Sequence, residues 1–279
     1  MSLQHDKFFN ELKDAVEEDR LLLPSLPEVA LEIRAIVECE NTTTEQIAEV
    51  LSQDSSLSAR LLKVVNSPLY RTRNPVDDLH MAVTRMGTQK VRDLVINLAM
   101  KQMFQPTSEV MEKQFRSAWN TSVEVAAISQ MMSVSMDGIR KEQALLAGLI
   151  HNIGSLPILL LAENDDDLFN DSASLNSIIW ELQGPVGAMI LQSWNFSDDL
   201  VEVVSQCHNF AYDQNDSASL VDVVQVALLH GGFLADEHSP DSWSSVPAFS
   251  KLGMDAEVNV VQVEENQEMI DSARQSLLA

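Results

Sequence analysis

The chain has little cysteine, which disfavours a disulfide framework. Its two cysteines, Cys39 and Cys207, lie far apart in the sequence and form no Cys-x-x-Cys pair. Disulfide scaffolds of secreted proteins use more cysteines at closer spacing. With 279 residues, 45% of them hydrophobic, the chain is long enough to bury a core of its own. We therefore expect a protein of a reducing compartment and place it in the cytoplasm.

Positive charge is also scarce, because 18 Lys and Arg stand against 42 Asp and Glu and leave a net charge of −24. Nucleic-acid binding depends on cations that release counterions from phosphates, so a nucleic-acid partner is not expected. The cations are unevenly spread, since residues 142–279 contain only Lys251 and Arg274. Eight of them fall in one segment, called here the basic stretch: Arg60, Lys63, Arg71, Arg73, Arg85, Lys90, Arg92 and Lys101.

No uninterrupted apolar segment predicts export or a membrane span. Residues 1–11 mix charged and apolar side chains and lack the hydrophobic centre of a signal peptide. Residues 144–162 carry no formal charge and are about as long as a bilayer-crossing helix. They include His151, Asn152 and Pro157, however, and polar side chains are costly in hydrocarbon. We expect this segment to form a buried core without membrane contact.

What is present is helical periodicity, interrupted by proline, glycine and polar clusters. The Val-rich segment from Val258 to Val263 fits a strand or a helix, and the sequence leaves this open. The predicted helices run from Glu28 to about Cys39, from a capping box of Thr42 and Glu45 through Leu51, over Leu57–Val65, over Asp77–Met86, onward from a cap at Thr88, from about Glu109 to Met132, over Ser174–Leu182, Pro185–Trp194, Asp198–Cys207 and Leu220–Leu234.

Two groups of short motifs occur in a defined order. The first is Asn66-Ser67 with Tyr70, followed by Met86-Gly87. The second is the octapeptide Ala147-Gly148-Leu149-Ile150-His151-Asn152-Ile153-Gly154, followed by Val186-Gly187 and Trp194. In order and spacing these motifs resemble the HDOD family, a branch of the HD phosphohydrolase superfamily whose octapeptide reads Ala-Gly-Leu-Leu-His-Asp-Ile-Gly. The similarity covers roughly residues 20–235 and depends on the whole series, because each piece alone occurs by chance.

The resemblance implies an all-α fold in which an N-terminal helical lobe packs on an HD-like helical bundle. On this basis we assign residues 1–107 to the N-terminal lobe, 108–240 to the HD-like lobe and 241–279 to a C-terminal appendage. Members of the family are bacterial proteins, mostly assigned to signalling or regulation and often provisionally to the metal-dependent phosphohydrolases.

The resemblance also places the HD metal site at residues that are poor metal ligands. Hydrolases of the superfamily hold a divalent metal with a His, a His-Asp pair and a later Asp, because imidazole and carboxylate ligands let the metal activate water. The matching positions are Thr121, His151-Asn152 and Leu228, and a further family histidine falls at Gln183. Asn152 lacks the anionic oxygen of an aspartate. We therefore expect a degenerate site with no catalytic residue and no metal cofactor.

His151 has two other interpretations. It is a core histidine whose nitrogens bond to the backbone or to Asn152, as buried polar groups usually do. In the alternative, His151, Cys207 and His208 converge on a soft metal such as zinc, which takes three or four ligands of these types.

Three functions remain open at this point. The first is a non-catalytic regulatory module that binds a signalling partner protein, with the basic stretch docking an acidic surface. The second is a metal-dependent phosphohydrolase acting on a nucleotide or phosphate ester, which would need unexpected ligands. The third is a receptor for a small anionic ligand held by arginines of the basic stretch. The sequence favours the first, and it leaves the oligomeric state open.

Overall fold

The computed structural model describes residues 9–15, 18, 24–37, 42–67, 70, 75–105, 111–163, 165, 168–169, 171–214, 217–235 and 238–278. No β-strand occurs in these residues, so the all-α prediction is confirmed. Residues 9–15 and 168–169 are helical but are not numbered. The numbered helices, in chain order, are α1 Glu28–Val37, α2 Thr44–Ser52, α3 Ser55–Val65, α4 Leu79–Met86, α5 Thr88–Met103, α6 Glu112–Ser133, α7 Lys141–Ile150, α8 Ser155–Ala162, α9 Ser172–Ser193, α10 Asp198–Gln206, α11 Leu220–Gly231, α12 Pro247–Lys251 and α13 Glu264–Leu278.

The buried side chains form two hydrophobic clusters that meet at α5. Helices α1 to α5 enclose the smaller cluster, which includes Ile33, Leu51 and Leu61. The larger cluster is built mainly from α6 to α11 and the C-terminal helices. Helix α5 contributes Leu98 to the smaller cluster and Met100 to the larger one, so it is buried on both sides and joins the two halves of the fold.

Two predicted caps are wrong by one residue. The capping box of α2 uses Thr43 and Gln46 rather than Thr42 and Glu45. The hydroxyl of Thr42 instead donates to the Ile36 carbonyl at the end of the preceding helix. Thr88 does not cap α5, because Gly87 occupies the cap position and supplies no side chain.

The predicted break between Ser174–Leu182 and Pro185–Trp194 is also wrong, because α9 runs without interruption through Pro185. A proline inside a helix costs a backbone hydrogen bond and crowds the residue before it. That residue is Gly184, which has no Cβ to clash. Helix α9 is moreover packed between α8 and α10, so tertiary contacts hold it in one piece.

Other boundaries follow the local chemistry of their ends. Helix α11 stops at Gly231, short of the predicted Leu234, because Gly232 adopts a left-handed conformation with φ 68°. The Val-rich segment that the sequence left open is a 3₁₀ turn, Val260–Gln262, followed by α13. The predicted ends at Cys39 and Glu109 lie outside the described residues.

The charge-free segment forms two helices, α7 and α8, joined by a turn at residues 151–154. By length and composition alone the stretch Lys141–Ala162 could cross a membrane, yet 89% of its most apolar window is buried in the fold. The core of the protein therefore accounts for its apolar character.

Polar contacts tie the lobes together at a second place, the C-terminal end of α9. The indole nitrogen of Trp194 donates to the Pro24 carbonyl over 2.9 Å. The guanidinium of Arg34 on α1 donates to the carbonyls of Trp194 and Asn195. It also lies 4.8 Å from the centre of the Phe196 ring. These contacts fix the end of α9 against α1.

Two glycines allow the turn at 151–154 and the helix before it to approach their neighbours closely. A Cβ added to Gly148 would lie 2.4 Å from the Ala126 Cα on α6. A Cβ added to Gly154 would lie 1.9 Å from the Gln183 carbonyl oxygen on α9. Both distances are shorter than van der Waals contact, so only glycine fits at these positions.

We predict that Gly154→Ala lowers the free energy of unfolding by about 3 kcal/mol, because the methyl group forces the backbones of the turn and α9 apart. Urea denaturation of the full chain measures this. Gln192→Ala, at an exposed position of α9, is the control and should change the free energy of unfolding little. Equal losses for the two variants would show that the contact at Gly154 is not the cause.

Candidate functional site

A cavity of about 400 Å³ opens between α6 and α9. One face of α6 supplies Gln114, Ala118 and Thr121 to its wall. The opposite wall comes from α9, where Asn176, Ile179, Trp180 and Gln183 follow helical spacing. The turn at 151–154, the start of α8 and the segment after α11 close the remaining sides.

The positions matched to the HD metal site all line this one cavity. They come from five places in the chain, namely α6, the 151–154 turn, α9, the residue pair after α10, and α11. The structure thus brings together all six residues singled out from the sequence: Thr121, His151, Asn152, Gln183, His208 and Leu228.

His151 is buried, and one of its ring nitrogens is hydrogen-bonded to the backbone while the other has no hydrogen-bond partner among the described residues. Its Nδ1 lies 2.7 Å from the Gly148 carbonyl oxygen, which can only accept, so Nδ1 carries the proton. Nε2 is then an acceptor, and it makes no hydrogen bond to any described residue. Burial lowers the pKa of His151 to about 4. The imidazole is therefore neutral near pH 7.

Both ends of the Asn152 side-chain amide are hydrogen-bonded to α6. Its Oδ1 accepts from the Ser122 hydroxyl over 2.7 Å. Its Nδ2 donates to the Ala118 carbonyl over 3.1 Å. A carboxylate could not make the second bond, since both partners would be acceptors. The amide is thus a structural tie between the 151–154 turn and α6.

His208 and Cys207 lie beside His151 without forming a metal site. The two imidazole rings are 6.2 Å apart between centres. The Cys207 sulfur is 3.2 Å from His208 Nδ1 and 3.8 Å from the His151 carbonyl oxygen. Burial raises the pKa of Cys207 to about 12, so the thiol is protonated near pH 7 when no metal is bound. Burial and the neighbouring histidines lower the pKa of His208 to about 3.

The donor set does not fit a divalent metal. Across the described ranges, no group of three or more His, Cys, Asp and Glu residues is arranged to hold a metal ion. The lining side chains that are described include no Asp, Glu, Lys or Arg. Hard divalent cations such as Mg²⁺ and Mn²⁺ favour carboxylate oxygens, and catalytic zinc takes three imidazole, carboxylate or thiolate ligands. Among the described side chains, the cavity offers them the Nε2 atoms of His151 and His208, hydroxyls and amides.

Sequence reasoning missed the aromatic side of the cavity. Trp180 is not among the residues singled out from the sequence, yet it lines the cavity. Its ring stacks on His238 with the planes 1° apart and the centres 3.8 Å apart. Its edge meets His208 at 4.8 Å. The available signal was the spacing of Asn176, Trp180 and Gln183, which places all three on one face of a helix.

The described members of the basic stretch lie on α3, α4 and α5 and contribute nothing to the described lining of the cavity. Arg60 is half-buried and donates to the Leu98 carbonyl. Arg92 pairs with the buried Asp93, which Arg140 also contacts. Lys101 donates to the Leu278 carbonyl. Lys63, Arg85 and Lys90 are exposed, and Arg71 and Arg73 lie outside the described residues.

The two-lobed helical fold and the convergence of these positions define an HD-type helical protein with altered metal-site residues. A family comparison agrees, since the model of the HDOD domain matches residues 23–210. The chain belongs to the HDOD family.

Known proteins are similar over most of this chain. A Shewanella amazonensis SB2B structure, provisionally named a metal-dependent phosphohydrolase, is 30% identical with a TM-score of 0.85, covering 98% of this chain and 99% of that one. An HDOD domain protein of unknown function from Geobacter sulfurreducens has 18% identity, a TM-score of 0.68 and 98% coverage of both chains, which shows the fold alone.

Longer relatives also match. A protein of Marinobacter aquaeolei VT8, provisionally named a signal transduction protein, is 22% identical with a TM-score of 0.65, covering 99% of this chain and 66% of that one. An uncharacterized protein of Treponema pallidum is 24% identical over an alignment of 229 residues that covers 77% of this chain. The chain spans 43% of the length of that curated relative.

We predict that Asn152→Asp does not restore metal binding and lowers the free energy of unfolding by about 1 to 3 kcal/mol near pH 7. The reason is that one carboxylate oxygen would face the Ala118 carbonyl and leave it without a donor. Urea denaturation and metal analysis measure the two effects. Asn176→Asp, on the exposed rim of the same cavity, should change stability little. Stoichiometric manganese in Asn152→Asp would contradict this account.

The low pKa of His151 predicts an acid-dependent stability. The unfolded chain binds a proton at this histidine near pH 6.5, whereas the folded chain does so near pH 4. The stabilising contribution is therefore complete above pH 6.5 and is lost as the pH falls toward 4, at up to about 1.4 kcal/mol per pH unit. The free energy of unfolding of His151→Gln, measured by urea denaturation at each pH in this range, should fall less steeply with decreasing pH than that of the unsubstituted chain. The surface variant His80→Gln is the control, and equal slopes for His151→Gln and the unsubstituted chain would refute the prediction.

Proposed function

We propose that this chain is a regulatory HDOD protein whose HD-type cavity binds a ligand without hydrolysing it. The observation that carries the proposal is the state of Asn152. It stands where a metal-binding aspartate is expected, and both ends of its amide are bonded to α6. Thr121, Gln183 and Leu228 complete a set of positions that cannot supply negative charge.

A role in signalling through a partner protein is the second part of the proposal. The name of the Marinobacter aquaeolei relative supports it. The two-lobed fold supports it as well, because a ligand bound in one lobe can influence the other lobe. Exposed cations of the N-terminal lobe, Lys63, Arg85 and Lys90, are suited to an acidic partner surface. The net charge of −24 opposes nucleic acid as that partner. The bacterial cytoplasm is the proposed compartment, because the relatives are bacterial and the chain has only two cysteines.

A metal-dependent phosphohydrolase is the second candidate. It is favoured by the name of the Shewanella amazonensis relative and by the free Nε2 of His151. It requires a metal ligated by hydroxyl and amide groups, which are weak ligands for the cations that activate water.

Metal content separates the two candidates. We predict that the full chain, purified without chelators and then loaded with manganese, iron or zinc, retains well below one metal per chain by plasma mass spectrometry. It should not hydrolyse p-nitrophenyl phosphate above the buffer rate. The expected cause is the lack of carboxylate ligands among the described residues that line the cavity with His151.

Two histidine variants control the measurement. His151→Gln removes the free imidazole of the cavity, and His80→Gln removes a surface imidazole that pairs with Glu45. Near-stoichiometric metal that is lost in His151→Gln and kept in His80→Gln, together with chelator-sensitive hydrolysis, would establish the phosphohydrolase instead. Metal that both variants keep would be bound elsewhere and would leave the cavity without a catalytic ion.

A further inference from the structure

We infer that the cavity between α6 and α9 binds an uncharged, flat heterocycle with hydrogen-bonding edges, of which a nucleoside without phosphate is the simplest example. This inference rests on the proposed function, because a catalytic metal would bring charge into the cavity and change what it can hold. It concerns the chemical class of the ligand, which the proposed function leaves open.

The first argument is the neutral lining. The described side chains around the cavity include hydroxyls, amides, imidazoles and apolar groups, but no Asp, Glu, Lys or Arg. A phosphate or carboxylate group moved into such a site loses its water and gains no counter-ion, which is strongly unfavourable. The chain as a whole carries a net charge of −24, which further opposes an anion. An uncharged ligand meets neither penalty.

The second argument is the aromatic wall. Trp180 and Phe233 line the cavity together with His208 and His238. The parallel stacking of His238 on Trp180 at 3.8 Å demonstrates that the indole face accepts a flat five-membered heterocycle from the chain itself. A ligand ring can extend or replace this stack, because planar rings stack on indoles with little dependence on their identity.

The third argument is a set of hydrogen-bonding groups without partners. Nε2 of His151 is an acceptor left over by the bond from Nδ1. Oε1 of Gln114 is buried and makes no hydrogen bond within the described structure. The hydroxyl of Thr121 and the amide of Gln183 also make none to the described residues. These groups offer both donors and acceptors around one space, as the edge of a nucleobase requires.

Neighbouring polar groups do not compete for the ligand. The amide of Asn152 is bonded to Ser122 and Ala118. The hydroxyl of Ser155 donates to the Asn152 carbonyl. The unused groups are thus distinct from those that hold the fold, and a cavity of about 400 Å³ is within the usual range for small-molecule sites.

The test uses matched pairs of probes that differ only by a phosphate: adenosine and AMP, guanosine and GMP, cytidine and CMP, uridine and UMP. Isothermal titration of the full chain should give saturable 1:1 binding for at least one nucleoside. Its affinity should be about tenfold or more above that of the paired monophosphate, because the phosphate finds no cation among the described lining residues.

Variants assign the binding to this cavity. Thr121→Val and Gln183→Leu remove free hydrogen-bonding groups and should each weaken nucleoside binding about tenfold. Thr84→Val, on the exposed face of α4, is the matched control and should leave it unchanged. Thr121→Lys places a cation in the cavity and should move the preference toward the monophosphate. Thermal unfolding of each variant verifies that it is folded.

Three outcomes overturn the inference. They are no saturable binding by any of the nucleosides, tighter binding of the monophosphates than of the nucleosides by the unsubstituted chain, or binding that the cavity variants leave unchanged. These results leave the proposed function standing as long as the chain holds no catalytic metal. Metal-dependent hydrolysis, in contrast, would remove the proposed function itself.

Discussion

The turn at residues 151–154 is pressed against two helices at once, and this contact sets the geometry of the HD-like half. Gly154 lets the turn touch the backbone of α9 at Gln183. The Asn152 amide holds the opposite side of the turn to α6 through Ser122 and Ala118. Because α6 and α9 are the two walls of the cavity, the turn determines the distance between them. The imidazole of His151 is carried into the same space.

This arrangement changes the meaning of the asparagine at position 152. An aspartate here would carry the charge that a metal needs, but it could not donate to the Ala118 carbonyl. The asparagine satisfies that carbonyl and the Ser122 hydroxyl, and it gives up the anionic oxygen. At position 152 a possible metal ligand is thus replaced by a side chain that makes structural hydrogen bonds. A buried neutral amide with both ends hydrogen-bonded also avoids the free-energy cost of a buried, unpaired charge.

Much of the fold and part of the site could be predicted from the sequence. The ordered series of motifs, which includes the octapeptide around His151, indicated the family, and the matched positions Thr121, Gln183 and Leu228 do line one cavity. The errors have local causes. The cap at Thr43 differs from the predicted Thr42 by a single residue in a run of threonines. The helix through Pro185 depends on the neighbours of α9, which no local pattern reveals. The free groups of the cavity could not be predicted, because which polar atoms are already bonded is decided by tertiary contacts.

Helix α9 connects the cavity to the other lobe. Its N-terminal two thirds carry Trp180 and Gln183, which line the cavity. Its C-terminal end presents the Trp194 carbonyl to Arg34 on α1, and the Trp194 indole bonds to Pro24. A continuous helix transmits a displacement at one end to the other, since its hydrogen-bonded turns resist bending. Had Pro185 broken the helix, the cavity and the N-terminal lobe would be joined by a hinge. The glycine before that proline therefore helps to keep the cavity wall and the contact with α1 on one continuous helix.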